Sequence, residues 1–392
     1  MRRVYFDRAA ASPVHPDVLE AMIPYFKDNF GNPQSPYTEG GLALEAVGRA
    51  RAQVASLVGV EPGEIHFTAS GSEANNMALK GLALARRSKG DHLVISAVEH
   101  VSVINSAKWL EKLGFKITTV PVDSEGRVDP QAVESAITPA TVLVSVMTAN
   151  NEVGTVQPVE DIAAVCRSRD VLFHTDAVAA AGNIPVDAAR WQVDALSLAG
   201  DQFYGPKGTG ALFIRKGIKV LPLIDGGVQE AGRRAGTENV AGIVGLGQAA
   251  EIAAGDMESR TAPLAALRDR LIDELPERTG HVVVTGARRA RLPHHASFCV
   301  RFVEGEAMVL SLDAKGVAAA SGSACSSKSL RASHVLLAMG LDHATAQGSV
   351  VFTLQAGASR EDLDYLLGIF PPIVERLRAM SPLYTEFLKS RS

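Results

Sequence analysis

The sequence predicts an α/β protein, with a large domain on a mainly parallel sheet and a smaller α+β domain beside it. Up to about residue 255, short apolar, β-branched runs alternate with amphipathic segments, the pattern of a parallel sheet covered on both faces. Beyond that point a Leu- and Arg-rich helical stretch gives way to short alternating strands. The 392 residues also leave room for two domains, because a typical domain takes roughly 100–200 residues. The expected division is residues 14–255 for the large domain, and 1–13 with 256–392 for the small one.

Taken in chain order, buried strands are expected at residues 64–68, 92–96, 116–121, 141–147, 172–174, 195–198 and 210–214. Each is an apolar run bounded by turn-forming or polar residues. Helices are expected at 41–58, 72–87, 103–113 and 159–167, where apolar residues recur at helical spacing. Ser70 and Ser72 are cap-type residues ahead of the helix that carries Asn75 and Asn76. In the small domain the pattern gives a helix over 262–275 and strands at 281–285 and 296–302.

Composition narrows the class of function. The chain is 46% hydrophobic and 21% charged, as soluble globular proteins are. No apolar run approaches the roughly 20 residues of a membrane span, and Met1-Arg2-Arg3-Val4-Tyr5-Phe6-Asp7 has no signal-peptide core. A cytoplasmic protein with no membrane partner is expected. With 39 basic and 43 acidic residues the formal charge is −4, so no nucleic-acid partner is expected. The three cysteines, Cys166, Cys299 and Cys325, lack Cys-x-x-Cys spacing. That argues against a disulfide framework or a zinc cage, and no metal site is expected.

Four stretches contain residues suited to chemistry. Gly71 and Ser72 open a helix after a strand, a place where backbone N–H groups gather an anion, although an ordinary capped helix start has the same pattern. Asp176 lies at the carboxyl end of a strand, where open α/β sheets bind ligands; a cap or turn role fits it equally. His100 holds a similar place, and a structural histidine is the plainer reading. Ser321-Gly322-Ser323-Ala324-Cys325-Ser326-Ser327 is small and polar, a poor setting for core packing and a good one for thiol chemistry. Cys166 and Cys299 sit in apolar contexts and read as core.

In order along nearly the whole chain run Tyr5-Phe6-Asp7, Phe30-Gly31-Asn32-Pro33, Gly71-Ser72-Glu73-Ala74-Asn75-Asn76, Asn150-Asn151-Glu152-Val153-Gly154-Thr155, His174-Thr175-Asp176-Ala177, Tyr204-Gly205-Pro206-Lys207-Gly208, Arg234-Ala235-Gly236-Thr237-Glu238-Asn239 and the Cys325 stretch. Together they resemble the cysteine desulfurases of the iron–sulfur-cluster assembly type, class V aminotransferases of fold type I. The resemblance implies pyridoxal phosphate held as a lysine Schiff base, a homodimer, and a sulfur-acceptor or iron–sulfur scaffold partner. It implies Cys325 as nucleophile and persulfide carrier, and His100 stacked on the cofactor ring. Asp176 would pair with the ring nitrogen and Asn151 with the ring hydroxyl. Gly71 and Ser72 would hold the phosphate, joined by Thr237 from the second subunit.

The chain departs from this pattern where the cofactor is tethered. Gln202 stands where the family has its Schiff-base lysine, and an amide nitrogen cannot form an imine. Asp201 replaces a histidine, Ala199 a phosphate-binding serine, and Ala179 a glutamine that bonds the ring oxygen. Ala356 replaces the arginine that clamps the substrate carboxylate. So many changes together point to a naturally degenerate site. Pyridoxal phosphate is therefore expected without a Schiff base at residue 202, or not at all. Three readings follow: a sulfur-transfer protein using Cys325 as persulfide carrier or cluster-assembly thiol; a cysteine desulfurase with noncovalently held pyridoxal phosphate; and a noncatalytic dimeric scaffold.

Overall fold

The structure, a computed structural model of the chain, describes residues 2–322 and 332–390. After β1 (Val4–Tyr5) the chain forms β2 (Ile65–Thr68), β3 (His92–Ser96), β4 (Lys116–Val120), β5 (Thr141–Ser145), β6 (Leu172–Asp176), β7 (Ala195–Ala199) and β8 (Gly210–Ile214). These seven make one sheet in the order β2-β8-β7-β6-β5-β3-β4. The strands from β7 to β4 run parallel, and β8 runs against both of its neighbours. Every residue of β3, β5, β6, β7 and β8 is buried. Helices on both faces exclude water, which is why these strands read as continuous apolar runs. The edge strand β4, Lys-Ile-Thr-Thr-Val, is at least partly open to solvent at every residue but Val120 and includes three polar residues.

The remaining strands form a second unit. β9 (Val282–Val284), β10 (His295–Val300) and β12 (Ser349–Thr353) pair antiparallel in the order β12-β10-β9. The N-terminal β1 pairs parallel with β11 (Val317–Ala318), so Val4 and Phe6 join the core of this second unit. The sheet order sets a mainly parallel seven-stranded core beside a small α+β companion, as the sequence predicts.

One helix, Val240–Thr279, links the two units across 40 residues. Ile243, Leu246, Ala249, Ala250 and Ala253 pack with the large sheet, whereas Leu264, Leu267, Leu271 and Leu275 pack with the small one. The sequence change near residue 255 thus falls inside a helix that changes cores. Its first half crosses the helix Thr38–Leu57 closely enough that a Cβ on Gly247 would lie 2.5 Å from Ala50 Cα. Glycine permits that crossing. Among the described residues no helix is long and apolar enough to cross a membrane.

Candidate functional site

The carboxyl ends of β2, β3, β6 and β7 meet at one edge of the large sheet, and most of the singled-out residues gather there. Asp176 is the last residue of β6 and is buried. Its Oδ2 accepts from Asn75 Nδ2 at 2.6 Å, and its Oδ1 from the Val178 N–H at 2.9 Å. Asn75 Nδ2 also donates to Ser102 Oγ at 2.9 Å. Ser102 Oγ lies 2.7 Å from His100 Nδ1, and the Ser102 N–H donates to the same nitrogen at 3.2 Å. Nδ1 therefore accepts, so a neutral His100 carries its proton on Nε2. The relay Asp176–Asn75–Ser102–His100 joins three elements. It holds His100 as the N-cap of the helix Val101–Glu111, which starts two residues earlier than its apolar pattern suggests.

Burial dominates the electrostatics. It pushes the Asp176 carboxyl above its ordinary range, against the opposing charge of His100 and the two hydrogen bonds. Beneath it, Glu99 is fully enclosed and pushed up to about 8, chiefly by burial and slightly by Asp176. Glu99 Oε1 accepts from Ser96 Oγ at 2.5 Å and from the Met147 N–H at 2.9 Å, while Oε2 has no protein partner. His174, two residues before Asp176, bridges Ser145 Oγ and Ser197 Oγ at 2.9 and 3.0 Å, and burial lowers it to about 3.

Gly71 begins the helix Gly71–Ala85, with Ser70 as N-cap accepting from the Glu73 N–H at 3.1 Å. A Cβ on Gly71 would stand 2.4 Å from Val178 Cγ2 and 3.4 Å from Ala199 Cβ, so glycine allows the β6 and β7 ends to close on this helix start. Ser72 beside it is exposed. Arg234 Nε bonds Glu73 Oε1 at 3.0 Å, which anchors the segment carrying Thr237 near the helix start. Thr237 itself is exposed, with no hydrogen bond to the other candidates among the described residues.

Gln202 lies in a short 3-10 turn, Gly200–Phe203, directly after β7. Its Nε2 donates to the Ala9 carbonyl at 3.2 Å, and its own carbonyl accepts from Arg8 Nη2 and from Asn183 Nδ2, the latter at 3.2 Å. The Asp201 carbonyl accepts from Ser12 Oγ at 2.6 Å, and the Ala179 carbonyl from Asn183 Nδ2 at 3.1 Å. Ala356 is exposed, and its N–H donates to Tyr204 Oη at 2.6 Å. Lys207 Nζ is engaged by the Ser12 carbonyl at 3.0 Å.

Asn151 contributes its main-chain oxygen to His295 Nε2 at 2.9 Å. Cys325 lies outside the described residues, but both flanks of that segment approach Glu152. A Cβ on Gly322 would stand 3.4 Å from Glu152 Oε2, and Ser333 Oγ donates to the same oxygen. Burial raises the Glu152 carboxyl, opposed by Ser333 and by His334. Cys166 and Cys299 are buried, and burial pushes both thiols up, Cys299 to about 12, so neither is a ready nucleophile.

Asn75, Ser102, Glu99, Arg8 and Asn183 were not singled out in the sequence. A buried asparagine inside a helix is a detectable oddity, because asparagine is a poor helix former; its partners, 27 and 101 residues away, are not. A cavity of about 360 Å³ lined by Arg86, Arg167, Asp194 and Arg215 opens at the amino ends of β6 and β7. It contains none of the candidate residues, and ligands of open α/β sheets bind at the other edge.

A doubly covered sheet with a buried acid at a carboxyl strand end, faced by a capped helix start, defines a fold-type-I protein, and the chain belongs to the aminotransferase class-V family, whose model matches residues 4–366. Within that family its relatives are cysteine desulfurases. It is 45% identical over 392 residues to the cysteine desulfurase IscS of Clostridium botulinum (strain Hall), covering 100% of this chain and 99% of the relative. It is 47% identical over 386 residues to the cysteine desulfurase IscS of Dictyoglomus turgidum, covering 98% of each. Among solved structures, a NifS-like protein superposes with a TM-score of 0.90 at 36% identity, covering 96% of this chain and 100% of that one. SspA in complex with cysteine superposes with a TM-score of 0.80 at 36% identity, covering 90% and 99%.

Class V aminotransferases and cysteine desulfurases depend on pyridoxal phosphate, and the residues here fit one part of that requirement. Asp176 and Asn75 present a buried polar pair in which Asn75 Oδ1 has no protein partner, and the glycine-opened helix start stands beside them. These suit a noncovalently held ring and phosphate. Residue 202 does not suit a covalent tether, since its side chain ends in an amide bonded to the Ala9 carbonyl.

Proposed function

We propose that this protein is a sulfur-transfer member of the cysteine desulfurase family in which Cys325 carries a persulfide that the chain does not itself make through a lysine-bound cofactor. The amide of Gln202, turned to the Ala9 carbonyl at 3.2 Å, carries this reading. Ala356 supports it, because the position offers no charge to a substrate carboxylate. Truncating such a charged partner costs roughly 2–5 kcal/mol, or about two to three decades in affinity.

The transfer needs no oxidant. The Cys325 thiolate attacks the outer sulfur of a donor persulfide, a new S–S bond forms on Cys325 as the donor's S–S bond breaks, and the donor leaves as a thiolate. The outer sulfur then passes to an acceptor thiol by the same exchange. Gly322 and Ser333, which flank the stretch containing Cys325, both lie beside Glu152. A cytoplasmic homodimer is proposed with it. Exposed Phe26 (64%), Phe30 (72%) and Val228 (75%) supply apolar surface for a second copy.

The test is uptake of labelled sulfur from glutathione persulfide by the parent and by Cys325→Ser. The proposal expects labelling of the parent alone, and equal labelling of both sinks it. A second reading, cysteine desulfuration with noncovalently held pyridoxal phosphate, is favoured by the Asp176–Asn75–Ser102–His100 relay. The cofactor when bound supplies an electron sink. Asp176 would face its ring nitrogen, and His100 would hold its Nε2 proton toward the ring. Alanine released from cysteine by the parent with added pyridoxal phosphate would establish this reading in place of the first.

A further inference from the structure

Behind Gln202 lies a cluster of buried basic groups in which Arg260 is paired with Asp256 and Arg8 has no ion pair among the described residues. Arg8 is 1% exposed, and its guanidinium uses only Nη2, toward Asn183 Oδ1 at 2.7 Å and the Gln202 carbonyl. Arg8 Nε and Nη1 have no protein partner. Arg260, whose side chain is 6% exposed, gives Nε to Asp256 at 3.0 Å and Nη2 to the Gly182 carbonyl at 2.6 Å, and its Nη1 is unpartnered. The two guanidiniums lie 5.3 and 5.7 Å from the ring centre of Tyr204. His294, 4% exposed, completes the group with an unpartnered Nδ1.

Asp256 offsets Arg260 alone, so the cluster keeps a net positive charge. Arg8 feels Arg260 as its neighbouring cation and has no carboxylate acting on it; burial lowers it only to about 10, so it stays charged at neutral pH. His294 is pushed well below its ordinary value by burial and then by Arg8, His295, Arg260 and Arg268, all of them basic. Contact with the Tyr204 ring offsets part of the cost of burying two cations. It leaves three N–H bonds of Arg8 and two of Arg260 unmade, and unmade bonds of buried charged donors are expensive.

The backbone around the cluster is fixed. Tyr204 sits in the left-handed region at φ +65°, held by the His15 N–H on its carbonyl at 2.9 Å and the Ala356 N–H on its hydroxyl at 2.6 Å.

We propose that Arg8, Arg260 and His294 form a buried binding site for a small monovalent anion, a halide or a carboxylate, beside the turn that carries Gln202. Two buried guanidiniums with unmade donors, both set against the Tyr204 ring, suit either ligand, and their burial disfavours larger polyanions. The site stands apart from the Cys325 reading, and either can fail without the other.

The experiment is the melting temperature of the full chain against chloride, bromide and formate, at ionic strength held constant with isethionate, a bulky sulfonate. An anion that binds only the folded state raises Tm with the logarithm of its concentration. Such a rise is expected with the halides, with formate, or with both, and the stronger identifies the ligand. Arg8→Leu should abolish the rise, and Arg49→Leu, on an exposed helix face, should keep it. A Tm that follows ionic strength alone overturns the proposal, as does an unchanged rise in Arg8→Leu. If Arg8→Leu does not fold, a bromide-soaked crystal of the parent decides. An anomalous peak within hydrogen-bonding distance of Arg8 Nη1 supports the site, and the absence of both that peak and a formate-dependent rise in the parent's Tm overturns it.

Discussion

Gln202 Nε2 and the Ala9 main-chain oxygen are 3.2 Å apart, a contact that ties the turn after β7 to the N-terminal segment. Arg8 reinforces the tie by donating to the Gln202 carbonyl. The amide is thus part of a packed junction between the two units.

That junction predicts what a lysine at 202 would do. In Gln202→Lys the new amine would lie near the uncompensated charge of Arg8, which favours its neutral, nucleophilic form. The variant should bind pyridoxal phosphate covalently, as a visible absorbance band and, after borohydride reduction, a mass increase on the peptide carrying residue 202. The parent should show neither at that peptide. Turnover of cysteine should remain poor until Ala356→Arg is added, which should lower KM by about two to three decades, the value of a carboxylate–arginine pair. A single variant as active as the double one would show that position 356 does not bind the carboxylate.

The Asp176–Asn75 hydrogen bond at 2.6 Å predicts a separable effect on the cofactor. Asn75→Leu removes the donor shared by Asp176 and Ser102, leaving a buried carboxylate short of one bond; the expected loss of stability is about 1–3 kcal/mol. Asp176→Asn keeps the shape and removes the charge. It should weaken noncovalent pyridoxal phosphate binding, measured by fluorescence titration, by roughly tenfold or more. Equal binding by parent and Asp176→Asn would mean the ring nitrogen does not face this carboxyl.

Much of this was legible in the sequence, for reasons that differ by element. The strands β3 and β8 match their expected bounds residue for residue, because strands buried on both faces carry an unbroken apolar run, residues 93–95 in β3 and 211–214 in β8. β6 runs two residues past its expected end to Asp176, since His174, Thr175 and Asp176 are polar yet buried and bonded across the sheet. The helix Val240–Thr279 was read only over its Leu-rich second half. Its first half is lined with Gly242, Gly245 and Gly247, which close helix crossing demands and helix propensity disfavours. Within the site, Asp176, His100, Gly71 and Gln202 stood out by position. Arg8 and Asn75 did not, because their roles depend on partners far away in sequence, Asn183 and Asp176.

Glu99 predicts a loss of stability as pH rises. Its folded value, about 8, lies above the ordinary carboxyl value of 4.5, so the folded state holds a proton that the unfolded state has released. The resulting contribution is fully present below about pH 4.5 and is lost progressively as pH rises through 8, at up to about 1.4 kcal/mol per pH unit. Glu99→Gln copies the protonated acid, keeping an oxygen for Ser96 and Met147. Urea unfolding at intervals from pH 5 to 9 should show the parent losing stability relative to Glu99→Gln. Parallel pH profiles would mean the carboxyl is ionised in the fold.

The buried histidines predict the opposite slope in acid. His66, His174 and His295 are each lowered to about 3, mainly by burial. Each is neutral in the fold and takes up a proton on unfolding below its ordinary value of 6.5. The stability they protect is complete above pH 6.5 and falls as pH drops toward 3. Asp176, raised by its own burial, opposes this by taking up a proton in the folded state. His174 is the cleanest test, since two serine hydroxyls occupy both of its ring nitrogens and burial alone lowers it. In His174→Gln the slope of unfolding free energy between pH 6 and 4 should flatten by about one proton, or about 1.4 kcal/mol per pH unit. Its stability at pH 8 should fall by about 1–3 kcal/mol from lost hydrogen bonds and packing. A variant that loses stability equally at pH 8 and pH 4 would show that His174 is already protonated in the folded chain.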